Sequence, residues 1–351
     1  VAIFLVLYFL ARSTFTKWSW KKFFDFSITS ILSAVTSLVM LLPMYLDLKA
    51  NNTQAVSQIN DFWTQNSAVF DLFSKNFVGA YDTTQYNAVP MIYLGLIPFL
   101  LALTFFFLPQ IKRRTKIAFS VLLAFLTASF YLQVLDLAWQ GMHSPNMFLH
   151  RYAFLFSLLI LLMACEVLAR FKSLKLWMTI VPFVLLSLGF IAAALLGDYP
   201  YLDTLQFALT LLFALAYLLV LLTFFKKWLP WKGLVVILAL FMCAEAGLNG
   251  YYQLAGVKKE WNFASRTYYN TQTKFIQPLV QNVVERSGDT FVRTENTMPD
   301  TANDGMKYNY NAIAQFSSVR NSNSSRVLGL LGFHTDSTFL NLRYPENTLL
   351  M

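Results

Sequence analysis

The sequence predicts an α-helical membrane protein with about eight spans, followed by a mixed α/β domain outside the membrane. Hydrophobic residues make up 57% of the 351 residues and charged residues only 13%, whereas soluble domains carry about 25% charged residues. Many apolar residues fall in runs of roughly 20, the length that spans the ~30 Å hydrocarbon core of a bilayer. The net charge of +9 is not gathered into a basic patch of the kind that binds nucleic acid. We therefore expect no nucleic-acid partner.

Eight apolar segments can be read along the chain. The first is short, because the chain opens at Val1 inside an apolar run, and the last residues up to Met351 read as part of a folded segment. We therefore expect the sequence to be an internal fragment of a longer protein. The predicted spans are residues 1–11, 26–46, 90–109, 117–135, 149–169, 176–197, 204–225 and 233–254.

Basic residues alternate between the linkers that join these spans. Up to residue 254, the linkers on one side carry fourteen Lys and Arg residues, and the opposite side has only Lys49, Lys75 and Arg151. Short loops rich in Lys and Arg stay in the cytoplasm. The linkers 47–89, 136–148 and 198–203, together with everything after residue 254, are therefore predicted to be extracytoplasmic.

Two domains follow from this pattern: a transmembrane helical domain, residues 1–254, and an incomplete extracytoplasmic soluble domain, residues 255–351. The first contains an outer-surface loop, residues 47–89, in which the apolar spacing of residues 59–77 predicts a helix lying on the membrane surface. In the second, we expect helix within residues 261–285, a strand over 290–295, turns over 298–305 and a helix near 325–333.

The chemistry must come from charged and polar groups, because the sequence has no phosphate-binding glycine loop, dinucleotide fingerprint, Cys or His metal spacing or nucleophile elbow. Arg151 lies just inside a span on the side that cations avoid, with His143 and His150 close in sequence. A guanidinium there could bind a phosphate through two charge-assisted hydrogen bonds. It could instead reach lipid headgroups, or pair with Asp136 or Asp198. Each histidine could also be an interfacial hydrogen-bonding group.

Two acidic residues are further candidates. Asp82 is flanked by Tyr81 and Tyr86 in a predicted outer loop; it could remove a proton from an acceptor hydroxyl as a general base, or be a solvated loop acid. Glu245 lies about one turn below the outer end of the last span. Ionisable groups inside membranes are costly and often functional. Glu245 is therefore a candidate for substrate binding, with structural pairing as the alternative.

Several blocks of the chain together resemble one family. Residues 143–156 read HSPNMFLHRYAFLF, and the other blocks are residues 81–95, 291–295, 302–311 and 315–320. With these blocks the chain resembles the bacterial YfhO family of multi-pass membrane proteins over essentially its whole length. The resemblance implies a glycosyltransferase of the GT-C type. Such an enzyme takes a sugar from a polyprenyl-phosphate carrier in the outer leaflet, and this family is linked to glycosylation of lipoteichoic or wall teichoic acid.

The resemblance assigns roles only to the residues that match the family pattern, which are Asp82, His150, Arg151, Arg293, Asn303 and Asp304. We expect Asp82 and His150 to be catalytic. The principal base of GT-C enzymes lies in the first outer loop, which we expect upstream of Val1. The residues expected to bind substrate are His143, Arg151, Glu245, Arg293, Asn303 and Asp304.

The expected partners are a polyprenyl-phosphate-linked sugar, membrane lipids and an anionic envelope polymer, which would suit a tail whose basic residues outnumber its acidic ones. No cofactor is firmly indicated, although a divalent cation could assist. The expected location is the bacterial plasma membrane. Two other classes stay open. One is a transporter or flippase of the lipid-linked sugar, which would favour midplane ionisable groups and paired broken helices; the other is a non-catalytic envelope scaffold.

Overall fold

The computed structural model describes residues 1–51, 59, 61–64, 68–145, 147–261, 263–288, 290–294, 296, 300, 301, 303–312 and 322–331. These residues are mostly helical. The helices are α1 (Ala2–Phe15), α2 (Trp20–Asn51), α3 (Asp71–Ser74), α4 (Leu96–Phe107), α5 (Arg113–Tyr131), α6 (Gln133–Trp139), α7 (Ala153–Leu168), α8 (Trp177–Leu196), α9 (Thr204–Phe225), α10 (Trp231–Glu260), α11 (Arg266–Ser287), α12 (Asp304–Tyr308) and α13 (Ser322–Leu330).

The chain divides into two compact units. The first consists of Val1–Ser19 and Val56–Asn262, and the second of Trp20–Ala55 and Phe263–Met351. The predicted domain boundary at residue 254 falls inside α10, which continues to Glu260.

The core of the first unit is built around α4 and α7. Nine of the twelve residues of α4 are buried, and α7 packs against it. Helix α8 also packs against α4, while α1 packs against α5 and α9 against α10. Helix α4 is apolar on every side, which is the composition of a helix enclosed by other protein segments, and eight of the sixteen residues of α7 are buried.

Within the described residues, four helices are long and apolar enough to cross a bilayer: Trp20–Asp47, Trp177–Leu196, Thr204–Phe225 and Trp231–Glu260. The prediction of about eight spans is therefore not supported. Helices α1, α4 and α7 have 14, 12 and 16 residues, or about 18–24 Å at ~1.5 Å per residue. Helix α5 has basic residues in its first turn. The predicted spans 90–109 and 149–169 begin as helices only after backbone bends at Gly95 (φ 85°) and His150 (φ 51°).

The surface helix predicted over residues 59–77 is wrong in the described part of that range. One helical turn, α3, forms there, and Asp71 and Ser74 within it are buried. Farther upstream, the Thr64 amide donates to the Tyr131 carbonyl oxygen at 2.8 Å. The backbone at Thr64 is thus hydrogen-bonded to the end of α5, and the buried polar side chains of α3 need partners inside the protein.

The mixed α/β character predicted for the tail is not supported either. Residues 290–294 form no strand, because their one inter-segment backbone bond, from the Thr294 amide to the Asn311 carbonyl at 2.9 Å, has no neighbouring ladder. The predicted helices are confirmed as α11 and α13. Residues 295, 297–299, 302, 313–321 and 332–351, which include parts of the predicted strand, turns and family blocks, lie outside the described residues.

Candidate functional site

The loops that the sequence predicts on one side of the membrane contact one another in the first unit. The Tyr199 hydroxyl, in the linker 198–203, donates to Asp71 Oδ1 at 2.8 Å. The Phe148 amide, in the linker 136–148, donates to the Thr84 carbonyl at 3.0 Å. Two of the family blocks, residues 81–95 and 143–156, therefore meet directly at this face.

Residues 78–95 form an irregular segment that is held by polar side chains of α10. Asn249 Oδ1 accepts from the Gly79 amide at 2.9 Å, and Gln253 Nε2 donates to the Ala80 carbonyl at 2.6 Å. Glu245 and Glu260 extend the same row at roughly four-residue spacing, so one face of the helix carries the whole set. Irregular backbone that is buried requires hydrogen-bond partners from the protein itself.

Glu260 ends this row and fixes the tip of the segment. Its carboxylate accepts hydrogen bonds from the hydroxyls of Tyr81 and Thr83. It also accepts from the Thr84 amide at 3.0 Å and the Thr84 hydroxyl at 2.9 Å. The indole of Trp261 donates to the same hydroxyl oxygen at 2.8 Å. One carboxylate thus orders the turn that precedes the contact with Phe148.

Tyr81 reaches Glu260 by lying against the bare backbone of Gly256, and this close approach gives a first prediction. A Cβ at position 256 would lie 2.2 Å from the Tyr81 ring, whereas nothing lies within 4 Å of one at Gly250. We expect Gly256→Ala to displace Tyr81 and lower the stability by about 1–3 kcal/mol. Thermal unfolding in detergent checks this, with Gly250→Ala, which should be neutral or stabilising, as the matched control. Equal melting temperatures for both variants would contradict the contact.

The carboxylate of Asp82 is engaged by three neighbouring groups. It forms a buried ion pair with Lys75, and it accepts hydrogen bonds from the Thr83 amide and, at 2.8 Å, from the Val89 amide. Burial lowers the pKa of Lys75, while the charge of Asp82 and the hydrogen bond to it oppose that effect. As a base, Asp82 would have to accept a proton beside this ammonium group.

His150 is paired with Asp136. Its Nδ1 lies 3.0 Å from Asp136 Oδ1, and the His150 side chain is only 6% exposed. The second carboxylate oxygen accepts from Gln140 Nε2 at 3.0 Å, and the Tyr152 hydroxyl lies 2.8 Å from Oδ1. The arrangement can orient an imidazole and determine which of its nitrogens carries the hydrogen.

Arg151, the residue after His150, is exposed. Its Nε and Nη2 donate to the carbonyls of Phe148 and Met147 at 3.2 and 3.4 Å, and no ion pair to it occurs among the described residues. Met147, Phe148 and His150 all have positive φ angles, which are strained for residues other than glycine. His143 Nδ1 is buried without a hydrogen-bond partner in the described part of the chain. An exposed guanidinium held by carbonyls keeps its positive charge available to an anion.

Glu245 is fully buried and has three hydrogen-bond donors. Its Oε1 accepts from the Tyr93 hydroxyl at 2.8 Å and from the Leu96 amide at 2.9 Å, and its Oε2 accepts from the Tyr217 hydroxyl. The Leu96 amide is at the first position of α4, where a negative charge is favourable. These contacts correspond to the structural alternative, and substrate binding by Glu245 stays a prediction.

Arg293, Asn303 and Asp304 belong to the second unit. Asp304 is buried and accepts from the amides of Asp300 and Thr301 at 2.9 and 2.7 Å. Arg293 donates to a backbone carbonyl at 3.4 Å, and the Asn303 amide donates to the Thr301 hydroxyl at 3.3 Å. Asp304 therefore orders a turn, and the substrate-binding role of all three stays a prediction.

Three residues of the site were not among the sequence candidates: Lys75, Asp136 and Glu260. Lys75 carries the same signal as Arg151, because both are basic residues on the predicted outer side. Asp136 is one of several outer acids, and only the fold selects it as the partner of His150. Glu260 lies beyond the predicted end of the last span, although its spacing from Asn249 and Gln253 continues one helix face.

These features define a class: a helical membrane protein whose irregular loops meet around buried ion pairs and one exposed arginine. The chain belongs to the YfhO family of bacterial membrane proteins, whose family model matches residues 1–351. No curated protein and no solved structure is significantly similar to it. No group of three or more His, Cys, Asp or Glu residues that could hold a metal ion occurs in the described ranges. A divalent cation requirement stays a prediction.

Proposed function

We propose that this protein is a membrane glycosyltransferase that moves a sugar from a polyprenyl-phosphate carrier to an anionic cell-envelope polymer, such as teichoic acid, on the outer face of the plasma membrane. The observation that carries the proposal is the exposed guanidinium of Arg151, next to the buried His150–Asp136 pair. An anion-binding group beside a proton-exchanging group is what transfer from a phosphate-linked sugar requires.

The chemistry follows from this juxtaposition. The carrier would enter from the bilayer with its phosphate at the interface, where Arg151 can make two charge-assisted hydrogen bonds. As the bond between the sugar and the phosphate breaks, negative charge grows on the phosphate, and a fixed cation stabilises that charge in the transition state. Asp82 and His150 are the candidates for moving the acceptor proton. The tail, which we place outside the cell, would bind the polymer.

The proposal predicts a large effect of Arg151→Ala. Transfer of sugar from a synthetic polyprenyl-phosphate donor by the purified full-length protein should fall roughly 10²–10³-fold, the loss typical of removing one donor that stabilises developing charge. Arg151→Lys should retain part of the rate, because it keeps the positive charge but loses the planar guanidinium that binds a phosphate through two hydrogen bonds.

The matched control is Arg114→Ala, which removes an exposed arginine at the start of α5. It should transfer sugar at the wild-type rate. Unchanged transfer in Arg151→Ala would remove Arg151 from the site. Movement of the donor across the membrane by the wild type, without transfer to any acceptor, would favour the flippase.

A further inference from the structure

The geometry of the pair formed by His150 and Asp136 determines which ring nitrogen carries the hydrogen. An ionised carboxylate only accepts hydrogen bonds, so Nδ1, which lies 3.0 Å from Asp136 Oδ1, is the donor. The lone pair that can accept a proton is then on Nε2. A carboxylate on one nitrogen of an imidazole fixes its tautomer and stabilises the imidazolium that forms when the other nitrogen takes a proton.

Asp136 is itself held in place. Gln140 Nε2 donates to its Oδ2 at 3.0 Å, and the Tyr152 hydroxyl lies 2.8 Å from its Oδ1. The rings of Tyr152 and Phe130 are stacked, and the edge of His150 meets Phe130. The carboxylate and the imidazole therefore each have a fixed orientation before any substrate arrives, which is what efficient proton transfer needs.

Two further titratable side chains belong to the same face: Tyr152, whose ring meets His150 edge-on, and Asp71. Asp71 is buried, and burial raises its pKa, while hydrogen bonds from the Ala68 amide and Tyr199 oppose that rise. Among the described residues, Asp136 is the carboxylate that is hydrogen-bonded to the imidazole. The direct contact makes Asp136 the group whose removal should change the chemistry of His150 most.

The backbone of His150 is consistent with a functional constraint. Its φ is 51°, a left-handed conformation that costs roughly 1–3 kcal/mol in a residue other than glycine. The hydrogen bond between its ring and Asp136 and the hydrogen bond from the Ala153 amide to the His150 carbonyl, 2.8 Å, hold it there. The ring is thereby directed inward while the neighbouring Arg151 is exposed.

We propose that Asp136 is a positioning residue that holds His150 as the proton acceptor of the transfer reaction; this rests on the proposed function above. The acceptor hydroxyl oxygen forms a bond to the anomeric carbon, and the bond from that carbon to the carrier's phosphate oxygen breaks. The phosphate leaves with the electron pair, and the hydroxyl proton passes to His150 Nε2, directly or through one water. The general base is then an imidazole, in contrast to the loop carboxylate that the family resemblance implies.

The test is Asp136→Asn in the full-length protein, reconstituted in lipid nanodiscs with a synthetic polyprenyl-phosphate sugar. We expect kcat to fall roughly 10²–10³-fold, in the range that general-base catalysis contributes, with the donor KM unchanged because Arg151 is intact. Asp136→Glu, which keeps a carboxylate at this position, should restore part of the rate. The matched control is Asp198→Asn, which removes an exposed acid of another outer loop. It should transfer sugar at the wild-type rate.

The outcomes separate the two proposals. Transfer by Asp136→Asn at the wild-type rate overturns the role of Asp136 and leaves the glycosyltransferase proposal standing. Absence of transfer by the wild type overturns both. A fall in kcat accompanied by weaker donor binding and a lower melting temperature, with no recovery in Asp136→Glu, also overturns the positioning role, since it would reflect a fold defect. His150→Gln should lose the same activity with the donor KM preserved.

Discussion

Lys75→Met should destabilise the protein by roughly 3–5 kcal/mol, the usual cost of leaving one partner of a buried ion pair alone. The side chains of Lys75 and Asp82 are 4% and 6% exposed, and Asp82 would keep only the amides of Thr83 and Val89 as donors. Thermal unfolding in detergent measures the effect, with the loss of the monodisperse peak as the readout.

Two companion variants separate the ion pair from a general effect of removing lysine. Lys49→Met removes an exposed lysine and should change the stability by less than about 0.5 kcal/mol. The double variant Lys75→Met, Asp82→Asn removes the stranded charge and should recover part of the loss, because residues in contact are not additive. A melting temperature for Lys75→Met equal to that of Lys49→Met would mean that the pair is not buried in the folded protein.

Glu245→Leu should cost about 3 kcal/mol or more. It would leave the Tyr93 and Tyr217 hydroxyls and the Leu96 amide without their acceptor, and each buried donor left unpaired costs about 1–3 kcal/mol. Because the amide starts α4, the loss falls on the helix at the centre of the core. The yield of folded protein and its unfolding temperature report the change.

Glu245→Gln distinguishes the structural role from substrate binding. The amide oxygen can still accept hydrogen bonds, so we expect a much smaller loss of stability than in Glu245→Leu. If Glu245 also binds substrate through its charge, Glu245→Gln will lose sugar transfer while keeping its melting temperature. Met242→Leu, on the same helix and partly exposed, is the control for substitution in α10. Equal stability of Glu245→Leu and Met242→Leu would contradict the hydrogen bonds described here.

The sequence allowed the membrane class, the family and the locations of most apolar helices to be predicted, because these depend on composition, run length and local motifs. It did not allow the number of membrane-crossing helices to be predicted. A run of 20 apolar residues looks the same whether all of it is helical or, as at 90–109, its first residues are not helical. The outcome depends on Glu245, which is distant in sequence and accepts hydrogen bonds from Tyr93 and from the Leu96 amide.

The candidate site was also predictable only in part. Arg151 and Glu245 could be found because their charges are unusual for their positions. The partners of the charged groups could not be found, since Lys75–Asp82 and Asp136–His150 are set by how loops meet after folding. The predicted surface helix at 59–77 is wrong for a related reason. The apolar spacing indicates a helix with one face toward lipid, whereas Asp71, Ser74 and Lys75 are enclosed by protein.

The brevity of α4 and α7 has a consequence for how the protein would respond to its lipids. Both helices are shorter than a hydrocarbon core of ~30 Å, and α4 is enclosed by its neighbours. Hydrophobic mismatch would therefore act on the longer peripheral helices α8, α9 and α10, which can tilt to accommodate it. Helix α4 is insulated from that adjustment, so we expect the core geometry around it to be kept in thin and thick bilayers alike.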